Sequence, residues 1–129
     1  MGTYIQITDI DNITINDLYN NGNVDLIQLM IDKTNLQLDE KVSGEWGLDI
    51  ASIIDPIPQI VKDWLVAELC YRVGSAFITS NDPQGTYNVL YNLGMTNKER
   101  LEPRITPALV TNGAIDGNVQ YNFTRFERG

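Results

Sequence analysis

Among residues that could do chemistry the chain has one cysteine and seventeen carboxylates, and it contains no histidine. That removes the usual general base, the commonest metal ligand and every histidine-based triad. A lone cysteine without histidine cannot build a structural zinc site, and no glycine-rich phosphate loop is present. Asp9 and Asp11 open "DIDNIT" like a calcium loop, but Ile13 takes the third ligand position and Thr14 the place of the glycine. A frame starting at Asp17 gets Gly22 right and then offers Tyr19 and Gln28 as ligands, so neither frame is an EF-hand. Cys70 lies in an apolar run and reads as a small buried hydrophobe, with no second cysteine for an intrachain disulfide. No pair of carboxylates stands out by spacing. The residue types point away from an enzyme and imply no cofactor and no metal.

Binding chemistry is better represented. In the closing stretch "NVQYNFTRFERG", Val119, Tyr121 and Phe123 alternate with Gln120, Asn122 and Thr124, the pattern of a strand with one apolar face. Arg125, Phe126 and Arg128 follow as end anchors. A single short strand needs a sheet edge. Its partner is either Tyr4 to Thr8 of the same chain or a strand of another protein. Trp46, set between Gly44 and Gly47, either plugs the core or serves as a loop contact for a partner.

Charge narrows the partners. The formal net charge is −8, which disfavours binding to free nucleic acid. Six of the nine basic residues and fifteen of the seventeen acidic ones lie before Arg104, so the body carries −9 and the tail +1. Either the tail simply has few charges, or it can dock on a neighbouring acidic copy. The opening "MGTYIQITD" lacks the basic and apolar regions of a secretion signal. No apolar run is long enough to span a membrane. Synthesis in a reducing cytoplasm is expected.

The elements that must position these residues are helical. Thr14–Asp17 resembles a capping box opening a short helix that stops at Asn20-Asn21-Gly22. From about Asn23 to Val42, Ile27, Ile31, Thr34, Leu38 and Val42 recur at helical spacing, widened by Val24, Leu26, Met30 and Leu36, with Asp25, Asp32, Asp39 and Glu40 on the other side. A proline at Pro56 or Pro58 opens a third helix that is mostly apolar from Ile60 to Ile78, with Glu68 and Arg72 pairing on its exposed strip. Asp82-Pro83 starts a fourth helix, with Gly94 as a C-cap or kink, Thr96–Glu99 as a second capping box and Pro103 as its stop. The expectation is a mainly α fold: a compact bundle of about four helices over residues 1–103, and an extended C-terminal arm over 104–129 ending in a short β-strand.

The order "TINDLYNNG", "NVDLIQLMIDKTNLQLDEKV", then the proline-opened "IPQIVKDWLVAELCYRV" resembles the small helical head-tail connector, adaptor or head completion proteins of tailed bacteriophages. The resemblance covers roughly Tyr4 to Ser80 and rests on element order and apolar pattern. It implies a homo-oligomeric ring, usually of twelve copies, under the portal protein in the neck of the virion. Such a ring extends the channel, lets DNA pass without specific binding, and receives downstream neck or tail proteins. The C-terminal arm would grip the portal or a neighbouring subunit. Alternatives are another virion assembly component, such as a tail completion protein, or a helical interaction module outside phage biology.

Overall fold

The computed structural model describes residues 2–77 and 85–111. Five α-helices carry the fold: α1 Ile13–Asn20, α2 Val24–Glu40, α3 Gln59–Phe77, α4 Thr86–Leu101 and α5 Pro107–Val110. Among the described residues there is no strand.

Local chemistry sets the ends. Asn12, not Thr14, caps α1, accepting the Ile15 N–H at 3.1 Å. At its other end Gly22 adopts φ +104° and the Asn23 N–H reaches back to the Leu18 carbonyl at 3.1 Å, the long bond of a Schellman motif. The stripe on α2 is buried as its spacing predicts: Ile27, Ile31, Thr34 and Leu38, with Val42 just beyond. Its expected edges differ. Val24 and Leu26 are exposed, while Asn35 and Asp39 are buried. Past Glu40 the helix widens into one π turn over Lys41–Glu45, closed by Trp46 N–H to the Lys41 carbonyl at 3.0 Å. Pro58 is the proline that starts α3; its carbonyl accepts from Val61 and Lys62.

The opening segment is held by a side chain rather than by a strand. The Asn35 Oδ1 accepts the Tyr4 and Ile5 N–H groups at 3.1 and 2.9 Å, and its Nδ2 donates to the Ile5 carbonyl at 3.1 Å. These backbone groups, part of the Tyr4 to Thr8 segment that is the intrachain alternative for pairing the expected tail strand, are therefore already paired. Asp39 accepts from the Tyr4 hydroxyl and from the Gly2 N–H. Burial first, and then this hydrogen bond to a carboxylate, push the Tyr4 pKa above its ordinary value.

Helices α3 and α4 form an antiparallel hairpin and are the closest-packed pair. A Cβ on Gly74 would lie 2.5 Å from the Tyr91 nitrogen. A Cβ on Gly94 would lie 2.7 Å from the Ala67 carbonyl oxygen and closer still to the Tyr71 nitrogen. The two glycines thus let each helix press on the other's backbone. Gly94 does not end a helix; α4 continues through it and through Thr96–Glu99. Tyr71 and Tyr91 pack at 5.1 Å between centroids, and Phe77 stacks on Tyr87 at 5.3 Å.

The core does not end at Pro103. After a 3₁₀ turn over Glu102–Arg104, Ile105, Val110 and Thr111 are buried, and the Val110 carbonyl accepts the Ile54 N–H at 3.0 Å. Thr106 caps α5 through the Leu109 N–H. Residues 104–111, expected as the start of an extended arm, instead fold onto the bundle because Ile105 and Val110 are apolar and meet it. The strand expected over Val119–Phe123 lies outside the described residues.

Candidate functional site

Of the residues singled out for binding, Val119, Tyr121, Phe123, Arg125, Phe126 and Arg128 lie outside the described residues. Trp46 is described. It is half-buried and packs against the core. Its indole lies 5.6 Å from the Lys41 ammonium, which sits 5.5 Å from the Trp64 ring as well. Lys41 also reaches Glu45 at 3.2 Å and Glu102, while the Trp64 Nε1–H donates to Glu102 at 2.9 Å. Burial acts to lower the Lys41 pKa, but the hydrogen bonds to Glu102 and Glu45 outweigh it and hold the ammonium above the ordinary lysine range. For Glu102 burial acts upward, and the bonds from Lys41 and Trp64 bring the net shift below the ordinary carboxylate range. The cluster ties the end of α2 to α3 and to the end of α4.

A second ionic group lies one turn along. Glu68 is buried, not on an exposed strip, because α4 covers it. Arg72 Nε approaches it at 2.9 Å and Lys98 Nζ at 2.6 Å. Arg72 further donates to Gln37 on α2 at 2.9 Å. Beside Lys98, a cleft of about 400 Å³ is lined by Tyr71, Met95, Glu99 and Pro103.

A second concavity lies on the other side of α4. It measures about 440 Å³ and runs between the N-terminal turn, the first half of α3 and the second half of α4. Ala67, Cys70, Leu101 and Val66 make an apolar lining, to which Leu93 adds from the rim. Asp9, Asp11 and Asp63 face the same space, with Arg100. Leu93 is 47% exposed, and Val89, one turn earlier on α4, is 59% exposed. An apolar strip therefore leads into an acid-rimmed groove. Sequence reasoning missed it because it joins three separate segments. The one available signal was Val89 and Leu93, four apart on the outer face of a helix.

Cys70 is buried and burial pushes its thiol up to about 11, so it stays protonated at neutral pH. Among the described residues, no group of three or more cysteine, aspartate or glutamate side chains is placed to hold a metal ion. No described helix is long and apolar enough to cross a membrane. Comparison with protein-family models, curated proteins and solved structures finds no match to this chain.

Proposed function

We propose that this protein is a structural, non-catalytic adaptor of a tailed-phage neck. It would form a homo-oligomeric ring beneath the portal protein that carries the DNA channel toward downstream neck or tail proteins. The observation that carries the reading is the succession of elements: a short capped helix, an amphipathic helix, a loop, and a proline-opened apolar helix, α1 to α3. This is the order that the resemblance to head-tail connector proteins rests on. The acidic body supports it, since a channel wall that must not hold DNA benefits from like charge. Residues 119–128 are the arm that grips the portal or a neighbouring copy, through strand addition by Val119, Tyr121 and Phe123 and anchoring by Arg125, Phe126 and Arg128. Trp46, half-buried against the core, is the candidate loop contact for a partner through the part of its ring that stays exposed.

The test is native mass and negative-stain electron microscopy of the purified protein, alone and mixed with the portal protein encoded by the same genome. Closed rings, or a monomer that assembles on the portal, are expected. A monomer that leaves portal particles unchanged would overturn the reading.

A further inference from the structure

We infer that the acid-rimmed groove between α3 and α4 is the receiving site for Arg125, Phe126 and Arg128 of a second copy of this chain. The inference deepens the arm-gripping reading above and rests on it. The groove has both halves of the needed chemistry. Ala67, Cys70 and Leu101 line an apolar space, and Leu93 and Val89 extend it along α4. An aromatic ring suits such a lining. Around it stand Asp9, Asp11 and Asp63. Asp9 is already engaged by Lys62 at 3.4 Å and by the Gln6 N–H, and among the described residues Asp63 accepts a neutral amide alone, that of Gln59 at 2.9 Å. Asp11 and Asp63 are exposed carboxylates, and Arg100 is the cation that lines the same space.

The occupant follows from charge. The body is acidic, and the last five residues, "RFERG", place a phenylalanine between two arginines with one glutamate. Guanidinium groups pair with carboxylates in fixed two-bond geometry, so two arginines flanking a ring can address two rim aspartates at once. Eighteen residues follow Thr111, enough at about 3.3–3.6 Å each to span the face of a neighbour.

The experiment keeps the chain at full length. A labelled peptide of residues 118–129 is titrated by fluorescence anisotropy into an Arg125→Asp/Arg128→Asp chain, whose own tail cannot compete. Saturable binding is expected. It should weaken by about tenfold or more when Asp11→Lys and Asp63→Lys are added to that chain. A peptide carrying the two Arg→Asp changes should bind an Asp11→Lys/Asp63→Lys chain that keeps Arg125 and Arg128, whose own basic tail cannot compete for the reversed groove. Thermal unfolding of each variant checks that the bundle is intact. In parallel, sedimentation of the unaltered chain should show self-association that the Arg125→Asp/Arg128→Asp chain loses.

Binding that ignores the groove reversal, or no saturable binding, would overturn the site. Peptide binding combined with an unaltered chain that stays monomeric would place the segment in its own groove and overturn the second-copy assignment. The peptide titration does not depend on whether the protein assembles on a portal, so the site and the adaptor reading fail separately.

Discussion

Asn35 stands four residues after Ile31 and three before Leu38, at a core register, and is 3% exposed. Its amide supplies the hydrogen bonds that a neighbouring strand would otherwise give Tyr4 and Ile5. Asn35→Leu keeps the size and removes both donor and acceptor, leaving the Ile5 N–H and carbonyl unsatisfied. A loss of about 2–4 kcal/mol in chemical denaturation is expected, and a loss under about 0.5 would show that other groups replace the amide. This residue marks where sequence reading stopped. The apolar stripe of α2 was legible because spacing alone fixes which side chains share a face. Asn35 and Asp39 were not, because their partners lie on a segment some thirty residues away. Glu68 was correctly paired with Arg72 but assigned to solvent, since one helix cannot reveal that α4 will cover it. Glu102 makes a pH prediction. Its folded pKa is lowered, so its stabilisation is present above the ordinary carboxylate pKa and disappears as pH falls through the folded value. Lys41, raised, contributes fully below the ordinary lysine pKa and loses its contribution only as pH climbs past its own. Glu102→Gln should therefore destabilise at neutral pH, by about 1 kcal/mol given solvent screening of a half-exposed carboxylate. The difference from the parent should close on acidification below about pH 4. A gap that persists unchanged at pH 3 would mean that the glutamate acts through packing rather than charge.

At the scale of elements, the α3–α4 hairpin depends on two glycines. Alanine ordinarily improves a helix by about 1 kcal/mol over glycine. At Gly94 and Gly74 the added methyl would meet backbone atoms of the other helix, which cannot swing aside as a side chain can. Overpacking of this kind costs about 1–3 kcal/mol before any propensity gain. Gly94→Ala should therefore be net destabilising in thermal unfolding. The double variant with Gly74→Ala should depart from additivity, because one separation of the helices relieves both clashes. Stabilisation by Gly94→Ala would refute the close crossing. The helices themselves were readable from apolar period and punctuation. A glycine inside a helical pattern was the ambiguous sign: its backbone freedom suggested a cap, whereas its missing side chain is what the packing uses. The groove shares this limit. Asp9, Ala67 and Leu93 carry no mutual signal until α3 and α4 are set side by side.

For the whole molecule, the question is where the folded body ends and the proposed arm begins. A break in composition after Pro103 suggested the boundary, since prolines and glycines thicken there and helical period is lost. Packing places it later. Ile105, Val110 and Thr111 are within the core, and Ile54 depends on the Val110 carbonyl for its N–H. Two truncations separate these positions. A chain ending at Pro103 loses two buried aliphatic side chains, each worth about 2–5 kcal/mol, a sum comparable with the entire stability of a small domain. It should be unfolded or strongly destabilised by circular dichroism. A chain ending at Gly117 keeps every described contact and loses only residues assigned to the arm. It should melt cooperatively within a few degrees of the full chain, yet fail to self-associate or to join a portal. If the Gly117 chain is instead globally unfolded, residues 118–129 belong to the chain's own core, and the arm cannot be a free hand for a neighbour. If it folds and still assembles, the ring contacts lie on the bundle, and the acid-rimmed groove has no arm to receive.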